Sequence, residues 1–318
     1  MSPVGGTKSE EDPVAALSPK VGASRLTRAA NRSLAAYALL APAVITIVVV
    51  FLVPIVVGVW TSFQADGSTL DRWQGAGLDN YIRLLKDSAF AHAIVVSVLF
   101  TAGSVTGAYV VGLAAALLLN RSFPGNAAFG AVVIIPWAMP YVAAAMIWSW
   151  LFDYQYGLFN YLLNVAHLVH GRVGFLTDPH LAIWAVTTVQ VWKLFPLATV
   201  LLLAGLKALS SEQAEAARVD GAGHLGVFWH VTLPGLRAVT TVLVLLLTIW
   251  VFGRSFTVIY VMTGGGPVDA TQNLVLLTFQ QGFQLFHLTR AAALGTVVMV
   301  ISAVFALLYR RFTQTAAA

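Results

Sequence analysis

The feature that most constrains this sequence is its series of long apolar stretches, which recur from Leu34 to the last residues of the chain. Each runs for about 20 residues or more without alternating, the length that one helix needs to cross a bilayer. Inside hydrocarbon every backbone N–H and C=O must be paired within the protein, so only helix bundles or closed barrels can span it. Because barrel strands alternate and these stretches do not, the sequence predicts an all-α membrane protein.

Six stretches have this length, and we expect each to form one transmembrane helix. They cover residues 34–63, 90–119, 127–152, 180–206, 238–262 and 288–309. Prolines inside several of them predict tilted and kinked helices. The predicted organisation is a disordered cytoplasmic tail over residues 1–33, a transmembrane domain over 34–311 and a C-terminal tail over 312–318.

Composition supports the membrane assignment and excludes several other classes. Hydrophobic residues make up 58% of the chain and charged residues only 10%, whereas a soluble domain carries roughly a quarter charged residues. The net charge of +5 does not predict nucleic-acid binding, because the charges flank the apolar stretches. The absence of cysteine excludes disulfides, thiolate nucleophiles and zinc–sulfur sites.

The distribution of lysine and arginine predicts the orientation. With the N-terminus in the cytoplasm, eleven of these residues lie on the inner side and five on the outer side. Such an excess marks the cytoplasmic side of a membrane protein. The longest inner loop is then the segment over residues 207–237, and a loop of this length between two spans usually has its own structure and function.

This loop carries the signals of two short helices. Ser210 and Gln213 have the spacing of a capping box, and Asp220-Gly221 supplies a helix stop. A second helix is expected over about 224–230, ended by Pro234 and held to the protein by an apolar side. The apolar residues of this second helix are Leu225, Phe228 and Trp229.

The same loop carries a longer motif. Glu215-Ala216-Ala217 is followed by three residues, Gly221, nine residues and Val231-Thr232-Leu233-Pro234. This resembles the EAA motif of binding-protein-dependent ABC importer permeases, in which EAA, three residues, Gly and nine residues precede Ile-x-Leu-Pro. Only Val231 departs from that pattern. The segments 77–81 and 259–267 are similar to those of the carbohydrate subclass, from which the chain departs at Thr257, where many relatives have Asp, and at Arg290, where many have Gly.

The resemblance implies a type I ABC importer permease of the MetI-like fold, with six transmembrane helices and a cytoplasmic coupling helix. It implies a bacterial or archaeal inner or plasma membrane location with both termini cytoplasmic, and a carbohydrate substrate. The implied partners are a second homologous permease, two ATP-binding subunits and an extracytoplasmic substrate-binding protein. The residues that would couple to the ATPase are Glu215, Ala216, Ala217, Asp220, Gly221, Leu233 and Pro234.

Energy for transport must then come from a partner subunit. The sequence has no GxxxxGK[ST] motif, so we expect neither ATP hydrolysis nor a bound cofactor in this chain. The alternative is an ion-coupled secondary transporter, but no acidic residue falls well inside a span, where such proteins carry proton relays. A polytopic membrane enzyme is the third class. Its best candidate, the pair His167 and His170, has no neighbouring carboxylate, and no metal site is predicted.

Polar and aromatic residues inside the predicted spans are the candidates for the substrate pathway, since sugars bind to aromatic faces and to groups that pair with hydroxyls. Trp148 and Tyr260 are better explained as anchors at the membrane interface. For Lys193, a structural or gating role is as plausible as substrate contact. The predicted pathway residues are Gln190, Trp192, Lys193, Trp250 and Arg254.

Overall fold

The structure, a computed structural model, describes residues 39–65 and 75–315, so the predicted tail over residues 1–33 lies outside the described residues. The chain divides into two compact units, residues 1–57 and residues 58–318. Helix α1, Leu39–Ser62, contains one wider π-helical turn at Val48–Leu52. All further elements belong to the second unit.

The described residues are almost entirely helical, which confirms the predicted all-α class. Their one strand-type pairing is a single bridge between Gln64 and Gly75. The remaining helices, in chain order, are α2 (Asp79–Leu85), α3 (Ser88–Leu119), α4 (Asn126–Ala138), α5 (Tyr141–Leu151), α6 (Leu158–Val165), α7 (Pro179–Ala208), α8 (Ser211–Val219), α9 (His224–Val227), α10 (Arg237–Arg254), α11 (Phe256–Met262), α12 (Leu274–Phe279) and α13 (Leu288–Thr315).

Five of these helices are each long and apolar enough to cross a membrane, namely α1, α3, α7, α10 and α13. The pair α4 and α5 supplies a sixth crossing if it is counted as one span. Helix α13 continues to Thr315, so the first residues of the predicted C-terminal tail are helical.

The third predicted span is broken rather than continuous. Helices α4 and α5 meet at a bend of 99° around Met139 and Pro140. Met139 is extended, with φ −70° and ψ 138°. Pro140 favours this break, since proline disfavours the α conformation in the residue before it and has no amide to donate.

The fifth predicted span, residues 238–262, is also interrupted. Helix α10 ends at Arg254, Ser255 leaves the helical conformation with ψ 14°, and α11 begins at Phe256. The buried Ser255 hydroxyl accepts a hydrogen bond from the side-chain amide of Asn273. Two neighbouring breaks, in the third and fifth predicted spans, therefore distinguish this structure from a set of straight helices.

Helices α3 and α7 form the centre of the hydrophobic core. Their backbones approach closely where glycines of α3 face α7, with Gly107 against Val191 and Gly112 against Ala198. Small residues at helix interfaces are how membrane helices gain van der Waals contact. Helix α10 adds Leu243 and Leu247, both fully buried, to this core.

Candidate functional site

The first helix of the loop over residues 207–237 has the start and stop that the sequence predicts. The Ser210 hydroxyl accepts from the Glu212 amide at 3.2 Å. At the other end Gly221 has φ +90°, its amide donates to Arg218 O at 3.1 Å and the Ala222 amide donates to Ala217 O at 2.9 Å. These two bonds form a Schellman motif, which requires a left-handed residue at the glycine position.

The second helix of the loop extends further than predicted. Helix α9 continues through a π-helical segment, Phe228–Thr232, and a short turn, Leu233–Gly235, so the expected stop at Pro234 is wrong. Pro234 lies just after the wider π-helical segment, and the residues before it, Thr232 and Leu233, are helical. The chain turns two residues later, at Leu236, before α10 begins.

Of the three apolar residues expected to hold the loop to the protein, only Phe228 does so. Phe228 packs against the core, but Leu225 and Trp229 are 76% and 60% exposed. Val219, at the end of α8, is 88% exposed. We call Val219, Leu225 and Trp229 the exposed loop residues. Large apolar side chains left this open on one loop are typical of a surface that contacts another protein.

The seven residues of the predicted coupling motif lie in the same loop. Glu215 and Ala216 of α8 are exposed, as are Asp220 and Gly221 at the turn, while Ala217 is half-buried. Leu233 and Pro234 are half-buried, and Leu233 packs against the core. The motif therefore combines an exposed first part with a second part that joins the loop to the helices.

A cavity of about 400 Å³ lies where the two broken spans meet α7. It contains three of the five predicted pathway residues, Gln190, Trp250 and Arg254. Trp137 and Tyr141 are not among the residues predicted from the sequence, although their positions on either side of Met139 and Pro140 were the available signal. The residues that line the cavity are Trp137, Tyr141, Gln190, Leu194, Trp250, Arg254 and Thr257.

Lys193 lies behind the cavity wall rather than in it. Its side chain is 1% exposed, and its ammonium group donates to Pro136 O at 2.6 Å and also to Met139 O. The nitrogen lies 4.6 Å from the centre of the Tyr141 ring. Lys193 thus satisfies the backbone at the break between α4 and α5 and supports the segment that carries Trp137 and Tyr141.

Trp192 belongs to an aromatic cluster outside the cavity lining. Its ring meets Trp148 edge-on, with 5.5 Å between the ring centres. Trp148 also contacts Phe152 and Phe159, at 5.5 and 5.8 Å. Trp148, expected to anchor the chain at the membrane interface, is half-buried in this cluster. The rings fasten α5, α6 and α7 together through offset and edge-on contacts.

Two polar groups of the cavity have unused binding capacity. Gln190 is 4% exposed, and its side-chain oxygen has no hydrogen-bond partner among the described residues. Arg254 is exposed, with its guanidinium 5.9 Å from the centre of the Trp250 ring. Within residues 39–65 and 75–315 no group of three or more potential metal ligands occurs. The cavity therefore offers aromatic faces, one free acceptor and one cation.

A helical membrane chain with a helix–turn–helix loop before its fifth predicted span and an aromatic-lined cavity between broken helices has the construction of a transport permease. The model of one family, the binding-protein-dependent transport system inner membrane component, matches residues 108–317, and the chain belongs to this family.

Relatives of known class cover most of the chain. The trehalose/maltose transport system permease protein MalF of Thermococcus litoralis is 36% identical over 268 residues, which are 84% of this chain and 90% of that protein. The sulfoquinovosyl glycerol transport system permease protein SmoG of Agrobacterium fabrum is 33% identical over 288 residues, 89% of this chain and 91% of that protein. These relatives are transport permeases, so they favour neither the secondary transporter nor the membrane enzyme.

A solved structure shows the same fold. It is described as a bacterial ABC transporter involved in the import of the acidic polysaccharide alginate, and it aligns with a TM-score of 0.78 at 22% sequence identity. The alignment covers 92% of this chain and 99% of that one. The predicted ABC importer permease fold is confirmed.

Proposed function

We propose that this chain is the permease subunit of an ATP-driven importer of carbohydrates and forms half of its translocation pathway. The observation that carries the substrate class is the cavity, which Trp137, Tyr141 and Trp250 line together with Gln190, whose side-chain oxygen has no partner among the described residues. Aromatic faces and convergent polar groups are what a carbohydrate site requires. The permeases of trehalose/maltose and sulfoquinovosyl glycerol among the relatives support the same class.

The loop over residues 207–237 is proposed to dock on the ATPase. Its exposed loop residues give an apolar surface, and Glu215 supplies a charge beside it. The Schellman motif at Gly221 fixes the angle between α8 and the following helix, and Leu233 and Pro234 join the loop to α10. Motion of the ATPase would thus reach the fifth span through a short and well-packed connection.

The proposed assembly contains a second homologous permease, two ATP-binding subunits and an extracytoplasmic substrate-binding protein. In this assembly both termini and the loop lie in the cytoplasm, in accordance with the positive-inside rule. Residues 34–311 form the permease domain. Lys193 and Trp192, first considered as pathway residues, are given a supporting role, because their contacts stabilise the walls of the cavity.

The test is ATP-dependent uptake by the complete complex in proteoliposomes, with trehalose and maltose as the first probes. Trp250→Ala and Gln190→Ala should lower uptake while leaving assembly intact. The matched control is Trp184→Ala, since Trp184 is an exposed tryptophan of α7 outside the cavity lining. Unchanged uptake in both cavity variants would show that this cavity is not the substrate site. Uptake that collapses with the proton gradient at constant ATP would favour a secondary transporter.

A further inference from the structure

Arg254 places a permanent positive charge in the wall of the cavity. It lies within the apolar stretch between Arg237 and Met262, at the break that ends α10. A charged side chain in such a stretch is costly in lipid and persists where it faces water, a partner or a substrate pathway. Its position beside Trp250 in the cavity lining meets this condition.

This charge has no counter-ion in the cavity. In the part of the chain that the structure describes, the other lining residues are all neutral, and the ion pair found there joins Asp87 to a different arginine, Arg290. Among the described residues, Arg254 makes no hydrogen bond to its neighbours. Guanidinium groups bind carboxylate, sulfonate and phosphate oxygens through paired N–H donors, so an unneutralised arginine in a cavity selects for an anionic group.

We propose that Arg254 binds an anionic group on the substrate, so the cargo is a carbohydrate that bears a carboxylate, sulfonate or phosphate. This proposal rests on the proposed carbohydrate function and restricts the cargo to anionic carbohydrates. The second observation is Gln190, whose buried oxygen has no partner in the described structure and lines the same cavity. A sugar hydroxyl that reaches Gln190 would supply the hydrogen bond that this buried oxygen lacks, while Arg254 binds the anionic group.

The dimensions of the cavity agree with a ligand of this kind. A volume of about 400 Å³ lies within the range of small-molecule sites and accommodates a mono- or disaccharide. The Trp250 ring, next to Arg254, gives an apolar face for the sugar ring close to the charged group. Charge, acceptor and aromatic face thus act on different parts of one molecule.

The experiment compares neutral and anionic sugars of the same size on the assembled, nucleotide-free complex in nanodiscs, without the binding protein. Saturation-transfer NMR titrations give dissociation constants for methyl glucoside, methyl glucuronide and glucose 6-phosphate. The complex is prepared with the wild-type chain and with Arg254→Gln, Arg254→Lys and Arg172→Gln. Arg172 is the matched control, since it is an exposed arginine in the loop between α6 and α7.

We expect wild type to bind at least one anionic sugar about 10- to 100-fold more tightly than methyl glucoside, the range for a hydrogen bond to a charged group. Arg254→Gln should abolish this preference by lowering the affinity for the anionic sugar about 10- to 100-fold, whereas Arg254→Lys should keep part of it. Arg172→Gln should behave as wild type. The two anionic probes show whether carboxylate or phosphate is preferred.

Three results would overturn the inference while leaving the carbohydrate function in place. These are equal affinity for neutral and anionic sugars, a preference that survives Arg254→Gln, and loss of complex assembly in Arg254→Gln, which would show that the charge pairs with a neighbouring subunit. Binding of neither kind of sugar would instead contradict the carbohydrate function itself.

Discussion

Lys193 of α7 donates a hydrogen bond to the backbone carbonyl oxygen of Pro136 in α4, with 2.6 Å between nitrogen and oxygen. In a continuous helix this carbonyl would accept from the amide of the fourth residue on, which is Pro140 and has none. The ammonium group replaces the missing donor and also serves Met139 O. A buried cation thus makes the break between α4 and α5 tolerable, and the break places Trp137 and Tyr141 at the cavity.

Replacing Lys193 by methionine, which keeps most of the side-chain volume, should destabilise the protein. The Pro136 and Met139 carbonyls would lose their donor, and an unsatisfied buried group costs about 1–3 kcal/mol in the free energy of unfolding. The measurement is the thermal unfolding midpoint of the complex in nanodiscs. Lys207→Met is the control, because Lys207 is an exposed lysine at the end of the same helix.

The same substitution can be examined in a Pro140→Ala background. Alanine restores an amide at position 140 that can serve the Pro136 carbonyl, so Lys193→Met should cost less there than in the wild type. An equal cost in the two backgrounds, or no effect of Lys193→Met at all, would contradict this account of the break.

The contact between α3 and α7 should not tolerate added volume. A Cβ atom at Gly112 would lie 2.6 Å from Ala198 Cβ and 3.1 Å from backbone atoms of α7, so Gly112→Ala should cost about 1–3 kcal/mol. Gly107→Ala would place a Cβ 2.5 Å from Val191 Cγ2, and Val191→Ala should relieve it. Thermal unfolding is again the measurement.

Gly130→Ala is the control for this interface, because its nearest neighbour, Leu119 Cδ2, would be at an ordinary 3.6 Å. If the Gly112→Ala variant unfolds at the same temperature as the Gly130→Ala variant, α3 and α7 can move apart at no cost. If Val191→Ala does not reduce the cost of Gly107→Ala, the added Cβ clashes with a residue other than Val191.

Gly221 and Gly223 allow the loop to be tested with two matched substitutions. An added Cβ meets nothing within 4 Å at either position, but Gly221 has φ +90° and Gly223 has φ −69°. Gly221→Ala should therefore cost about 1–2 kcal/mol from backbone conformation alone and distort the Schellman motif, whereas Gly223→Ala should leave this motif intact. The expected result is less uptake per ATP hydrolysed in Gly221→Ala only.

Gly221→Asn refines this test, since asparagine enters the left-handed region more readily than alanine does. It should retain more coupling than Gly221→Ala. Equal uptake per ATP in Gly221→Ala and Gly223→Ala would show that the backbone conformation at Gly221 does not affect coupling.

Asp87 has two functions that can be separated. One carboxylate oxygen accepts from the Ala89 amide at 2.9 Å and caps α3, and the other pairs with Arg290 of α13. Asp87→Ser should keep the cap and lose the ion pair, and Asp87→Ala should lose both. Since a cap contributes about 1 kcal/mol and a partly exposed pair less, Asp87→Ala should have the lower unfolding midpoint. Equal midpoints for the two variants would show that the cap adds nothing.

The sequence by itself determined the features that depend on neighbouring residues. Long apolar stretches require helices in a bilayer, whatever their packing. The loop helix begins at Ser210 and ends at Gly221 because capping and left-handed turns involve residues only a few positions apart. The motif from Glu215 to Pro234 could be recognised for the same reason.

Only the tertiary structure decided which intramembrane residues share a site. Gln190 and Arg254 reach the cavity, while Lys193, three residues from Gln190, turns to Pro136, which is 57 positions away in the chain. It also decided that Leu225 and Trp229 are exposed, although their spacing alone favoured packing against the protein. Periodicity places a residue on a side of a helix, but what lies opposite that side depends on segments far apart in sequence.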